Sequence, residues 1–317
     1  MQQPEKKSKS KHFHHGENLA MSNRFMAAAI LFAVLAFLPL ARAQTTERRE
    51  SGKNIHRDGW DRIVPPAPKD QKSEPAPARD LTGIWEPTPG YRDGVFATGP
   101  KEYPSDGKPE HELPFTPLGL KTWKEHKPGF GTTAVPIAEN NDPFDICDPI
   151  GFPRLELFNL RAIQIFQTKS QVAIIYQNDE VWRNIWMDGR ELPKDILEPR
   201  WYGYSVGKWT DDYTFVTETV GLDERTWIDN VGRPHSDELK VTETWHRVNH
   251  DILEVTMTID DPKMYTKPWN PLNKFRMRLQ PEWFDIREMI CSASEAQEYN
   301  KTVAEQAVAD KNAKQKK

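Results

Sequence analysis

Hydrophobic and polar positions alternate with a period of two through much of residues 160–280, the spacing of strands that turn one face toward a core. The runs at 160–167, 171–177, 181–187, 201–209, 213–220, 239–248, 252–259 and 274–280, with a short strand opening near 80–85, predict about nine strands. Thr210-Asp211-Asp212 and Asn249-His250-Asp251 each separate two alternating runs, so both read as hairpin turns. Short connections imply antiparallel neighbours, and a long meander tends to close on itself to remove its edges. The expected fold is mainly β: an antiparallel meander closing into a barrel, with a β-sandwich as the alternative. One peripheral helix is predicted over residues 115–126, where Thr116 can cap and Pro117 sits in the first turn. A second polar helix or a disordered tail is expected over 296–317, with no core to join.

Residues 187–247 hold the best strands and most candidate site residues. On the strand at 201–209 one face carries Trp201, Gly203, Ser205, Gly207 and Trp209, and the other Tyr202, Tyr204, Val206 and Lys208. Two readings stand for the bare face: a coiled strand at a barrel corner, or a ligand slot floored by small residues and walled by tryptophan. Leu239, Val241, Glu243, Trp245 and Arg247 share one face of a later strand. Either that face enters a polar lumen, where Glu243 and Arg247 pair, or it meets solvent.

Composition adds a compartment and removes some functions. The formal net charge is −4 with no basic, aromatic-interleaved stripe in the body, so no nucleic-acid partner is expected. Arg24 precedes an apolar run, residues 25–40, which ends in Ala41-Arg42-Ala43, the pattern of a secretory signal peptide. The run is short for a membrane span, which needs about 20 apolar residues. The expected division is therefore an upstream extension (1–20), a signal peptide (21–43), a disordered proline-rich linker (44–79), a single β-barrel-like domain (80–295) and the tail (296–317). Export to the periplasm or the cell exterior follows, with no integral membrane domain after cleavage. Two cysteines in an oxidising compartment favour a Cys147–Cys291 disulfide, with two buried free thiols as the other reading.

The chemistry-bearing residues match no catalytic motif. Asp188-Gly189-Arg190 reads as a turn with a local ion pair or as a clamp for a polar ligand. His235-Ser236 with an acid such as Asp188 or Glu243 has the composition of a hydrolase triad, but adjacent His and Ser do not easily make the required side-chain bond. Glu218 and Glu243, in different hairpins, would make an acid–base pair if they faced each other across a lumen. Histidine spacing supports no metal site, and no cofactor fingerprint is present, so neither a metal nor a cofactor is expected.

The segments LTGIWEP, CDPIGFPR, MDGR, WYGYSVGKWTDDYTFVTETVG and DDPKMYTKPW together resemble a family of exported bacterial proteins of unknown function, over roughly residues 80–291. The resemblance implies export and a β-rich fold, and brings no reaction. The Gly83-x-Trp85 opening before a meander also resembles the calycin or lipocalin superfamily, whose barrels hold small apolar ligands; this chain departs from it in size and strand rhythm. The first functional expectation is a secreted binding protein holding an apolar or aromatic small molecule in the barrel, against Trp182, Trp186, Trp201, Ser205 and Trp209, with Arg190 or Arg247 meeting its polar end. The alternatives are a hydrolase or isomerase using Asp188, His235, Glu218 or Glu243, and an envelope scaffold protein.

Overall fold

The computed structural model describes residues 55–66, 72–88, 94–306 and 309. The chain divides into two units, residues 1–55 and 56–317, and everything below concerns the second. The expected upstream extension and signal peptide lie outside the described residues.

Nine strands close into a barrel in sequence order: β1 (Gly83–Pro87), β2 (Ile163–Gln167), β3 (Gln171–Tyr176), β4 (Trp182–Trp186), β5 (Tyr204–Trp209), β6 (Thr214–Val220), β7 (Lys240–Arg247), β8 (Ile252–Asp260) and β9 (Trp269–Leu279), with β9 returning to β1. Eight of the nine neighbouring pairs are antiparallel; β4 and β5 are parallel. That pair corrects the all-antiparallel meander. Its reason is the connection 187–203, which carries the chain from the end of β4 back to the start of β5, and parallel neighbours need a crossover of about a dozen residues or more. The β4–β5 ladder is also short, with only Ile185 opposite Ser205 and Trp186 opposite Val206.

Alternation decides what fills the lumen. On β7 every second residue is buried: Val241, Glu243, Trp245 and Arg247. Trp245 belongs to an apolar cluster with Trp85, Ile163, Val172, Ile185, Phe215 and Val255. Val241 belongs to another with Phe152, Leu157, Met257, Ile259 and Leu272. Glu243 falls between them on the same face, so a polar belt separates two apolar layers. Arg247 lies over the Trp85 ring at 4.6 Å and donates to the carbonyls of Asp80 and His250, both at 2.8 Å. It does not pair with Glu243.

Helices are few and short. α1 (Pro117–Glu125) is capped as its sequence predicts, with Thr116 Oγ1 accepting from the Gly119 amide at 3.0 Å. α2 (Arg154–Leu157) is buried along its whole length and brings Glu156 to the polar belt. α3 (Ala293–Tyr299) continues into a wider turn, Asn300–Ala304. Ala304 is buried, so this segment does find packing partners. Part of the expected linker is also built into the domain. Val64 packs with Ile84, Ala162 and Phe284, an apolar patch that the barrel would otherwise expose. Asp58 is fully buried and accepts from the Trp60, Arg62 and Asp285 amides.

Cys147 and Cys291 form a disulfide across a sequence separation of 144 residues. In the chain-entropy model a loop of this length contributes about 5 kcal/mol by restricting the unfolded chain. The Cys147→Ser/Cys291→Ser pair should therefore lower the urea midpoint by an amount worth a few kcal/mol while the native far-ultraviolet dichroism persists below the transition. A midpoint equal to that of the oxidised protein would show that the bridge carries no such constraint.

Candidate functional site

The centre of the polar belt is Arg183, which points inward from β4 and has a side chain only 1% exposed. Its Nη2 donates to Glu243 Oε2 on β7 at 2.7 Å, and its Nη1 to Glu156 Oε1 on α2 at 3.1 Å. Nη1 also reaches the Tyr176 hydroxyl on β3 at 3.0 Å, and that hydroxyl donates to Glu156 Oε1 at 2.5 Å. Thr217 Oγ1 donates to Glu243 Oε2 at 2.9 Å, and Ser205 and Thr219 share a hydrogen bond of 2.8 Å beside them. The guanidinium lies 3.6 Å from the centre of the Phe152 ring. Four structural elements, β3, β6, β7 and α2, thus converge on the one buried cation that β4 carries.

Two carboxylates facing one cation leave an excess of negative charge in a dry site. Burial, reinforced by the nearby Glu243 carboxylate, pushes Glu156 up to about 8. Burial alone would lower the Arg183 pKa, but the Glu243, Tyr176 and Glu156 groups around it raise it further, so the guanidinium stays charged. Burial also raises the Tyr176 phenol, which remains a neutral donor.

The outer side of the same strands forms a cleft of about 820 Å³ at the parallel β4–β5 seam. Because the ladder begins only at Ile185, the edge of β4 at Trp182–Asn184 has no partner on β5, and the wall opens there. Trp182, Trp186, Arg190, Arg200, Trp201, Ser205 and Arg225 line the cleft, and Arg183 and Ser205 link its wall to the belt. Two stretches far apart in sequence build the same device. In Asp188-Gly189-Arg190 the Asp188 Oδ1 accepts from the Arg190 amide (3.2 Å) and Nε (2.9 Å), and Oδ2 accepts from Nη2 (2.6 Å). In Asp223-Glu224-Arg225 the corresponding distances are 3.0, 2.9 and 2.6 Å. The Arg190 guanidinium lies 3.7 Å from the Trp186 ring centre and that of Arg225 lies 4.3 Å from Trp201. Arg200 stacks on Tyr204 at 4.0 Å. Hydrogen bonding to Arg190 holds Asp188 down near 2, and Arg225 likewise lowers Asp223, so both clamps stay ionised and flat at neutral pH.

The structure brings Trp182, Trp186, Arg190, Trp201 and Ser205 together in this cleft. Trp209 instead packs against Phe215, ring centres 5.2 Å apart, and Arg247 sits over Trp85. The small-residue face of β5 is occupied by the protein itself: a Cβ on Gly207 would come within 2.4 Å of the Phe215 ring, and one on Gly203 within 2.7 Å of the Val220 carbonyl. The four acid–base candidates are not assembled. Glu218 faces outward and pairs with Lys240, whereas Glu243 faces the lumen, so the two do not meet across it. Asp188 is committed to Arg190. His235 is buried, with Nε2 on Thr226 Oγ1 at 2.8 Å and Nδ1 on the Ser236 carbonyl at 3.2 Å, while Ser236 Oγ donates to Asp261. Burial lowers the His235 pKa and keeps the ring neutral.

Sequence reasoning missed Arg183, Glu156, Tyr176, Arg200 and the Asp223–Arg225 clamp. Two signals were present: Arg183 shares a strand face with Val181 and Ile185, and the Asp-x-Arg triplets at 188–190 and 223–225 each lie two residues from a tryptophan, Trp186 and Trp227. Among the described residues no group of three or more His, Cys, Asp or Glu side chains is placed to hold a metal ion, and no helix is long and apolar enough to cross a membrane. No protein-family model matches this chain, and no curated protein matches it.

Glu156 gives the belt a pH signature. Its folded value of about 8 lies above its ordinary 4.5, so between them the folded chain keeps a proton that the unfolded chain has released. Stability from this group is present below the lower value and is lost as pH rises through the upper one. Glu156→Gln cannot ionise, so its stability relative to wild type should rise between about pH 5 and about pH 9. Denaturant melts at both pH values measure this; a difference independent of pH would contradict the protonated belt.

Proposed function

We propose that this is an exported binding protein whose ligand is a planar, oxygen-bearing aromatic molecule seated in the β4–β5 cleft. The observation that carries the reading is the pair of Asp-x-Arg clamps, each holding a guanidinium flat on a tryptophan ring at 3.7 and 4.3 Å. Such a platform offers a planar cation–π surface for stacking, and its orientation costs little on binding because the aspartate has already fixed it. The Nη1 group of each clamp makes no hydrogen bond to the Asp, which leaves a donor for a ligand carbonyl or hydroxyl. The balance of charge in the wall also shapes the choice. Arg183, Arg190, Arg200 and Arg225 are offset by Glu191, Glu198 and Asp223, so the cleft favours a neutral polar aromatic over a multiply charged anion.

The site is the wall of the barrel and not its lumen, where side chains from opposite strands already meet through Arg183 and Glu243. A broader groove of about 1000 Å³ lies beside residues 95–104 and 271–276, but no buried charged side chain reaches its wall. Binding is favoured over catalysis because the carboxylates nearest the cleft platforms are tied to arginines and their pKa values are lowered, the opposite of a proton donor tuned to neutral pH. The disulfide supports export, since such bonds persist in oxidising compartments. The calycin likeness is retained in the same spirit: a barrel scaffold that displays a small-molecule site.

Titration with flavone, a planar aromatic ketone, should quench tryptophan emission, with dicyclohexyl ketone as the saturated control. Trp186→Ala and Arg225→Ala should each weaken flavone binding by about tenfold or more without lowering the melting temperature by more than a few degrees. Equal binding of the saturated ketone, or unchanged affinity in both variants, would remove the stacking argument.

A further inference from the structure

A second cavity, of about 320 Å³, lies away from the β4–β5 seam, between the loop 104–115, helix α1 and Arg233. Its wall is largely apolar: Leu113, Phe115, Leu120 and Trp123 contribute, with Phe115 and Trp123 stacked at 5.2 Å. Arg233 is the exception. Its side chain is 3% exposed and forms part of the same wall. Asp229 engages it through Nη1 alone, at 3.0 Å, while Arg233 Nε is buried with no hydrogen-bond partner. A guanidinium left with an unpaired buried donor is under-satisfied, so a carboxylate that engages Arg233 from the cavity gains on binding.

We propose that this cavity binds a monocarboxylate with an apolar chain, its carboxylate on the free edge of Arg233 and its chain against Leu113, Leu120 and the Phe115–Trp123 pair. A carboxylate matches the fork of a guanidinium edge. A single charge is selected because Asp229, which is fully buried beside Arg233, repels a dianion such as phosphate. Lys108 and Glu112 also border the cavity, and Lys108 is paired with Asp106 at 3.2 Å, so Arg233 is the cation left to meet a carboxylate. Chain length is limited by the volume, which lies at the low end of small-molecule sites. This site is independent of the cleft reading, and shares no lining residue with it.

Calorimetric titration of the full chain with octanoate, octanamide and inorganic phosphate tests it. Octanoate should bind, with octanamide at least about tenfold weaker and phosphate undetected, because only the acid supplies the charge-assisted pair. Arg233→Gln should abolish octanoate binding. Since that change leaves Asp229 buried without its cation, Leu120→Glu provides a second variant: Leu120 is half-exposed on α1, and a carboxylate there repels the ligand while the core is untouched. Trp186→Ala, in the other site, should bind octanoate as wild type does. Octanamide binding as tightly as octanoate, undiminished binding to Leu120→Glu, or no octanoate binding to wild type would each overturn the proposal. Loss of octanoate binding in Trp186→Ala would also overturn it, by moving the ligand to the cleft.

Discussion

Arg183 is a cation held in a place where water does not reach, and the rest of the barrel is arranged so that it is never alone. Its two carboxylate partners come from α2 and from β7, and β7 is three strands away around the wall. The pair therefore spans the lumen and fixes which residues of β4, β6 and β7 point inward. A one-residue slip of β4 would put Trp182 or Asn184 in the lumen and leave Glu243 and Glu156 as unpaired buried acids. Buried ion pairs of this kind add little net stability, because desolvation offsets much of the Coulomb gain, but losing one partner costs about 3–5 kcal/mol. The belt acts on register more than on stability, and the apolar layers on either side supply the burial.

The same constraint explains the cleft. With Arg183 drawn inward, Trp182, Asn184 and Trp186 must face outward on β4. The parallel return of β5 pairs with only the last two residues of β4, so the outward tryptophans border a gap rather than a continuous sheet. Residues 187–203 cross this gap and carry one Asp-x-Arg clamp at their start; the turn after β6 carries the other. A rigid belt beneath and preset guanidinium planes above give a site whose geometry is fixed before any ligand arrives.

Much of this was legible in the residues. The strand runs, the Thr116 cap and the disulfide all followed from local pattern, since alternation, capping chemistry and cysteine parity are local or compositional properties. The parallel pair was harder. The 187–203 segment is long enough for a crossover, but a meander with mostly short connections predicts antiparallel neighbours on either side of it. The faces of β6 cannot be told apart from its residues alone: its lumen side is Phe215, Thr217 and Thr219, and its outer side carries Val216 and Val220. Hydroxyls face inward there because Glu243 and Arg183 need partners, which inverts the usual reading of polarity. Glu218 and Glu243 could not be placed on opposite faces without that knowledge. Arg183 was passed over because a charge among apolar residues signals a buried pair only when its partners, on α2 and β7, are already known to be close.

The most direct test of this account is a double-mutant cycle on Arg183→Met and Glu243→Met, read by unfolding free energy in urea. Arg183→Met should cost about 3–5 kcal/mol, because it leaves Glu243 buried without its cation, and Glu243→Met should cost less, because Glu156 remains on Arg183. The double variant should be clearly less destabilised than the sum, with a coupling energy above about 1 kcal/mol. Additive losses, or an Arg183→Met loss below about 1 kcal/mol, would show that Arg183 is not the point on which the barrel's register depends.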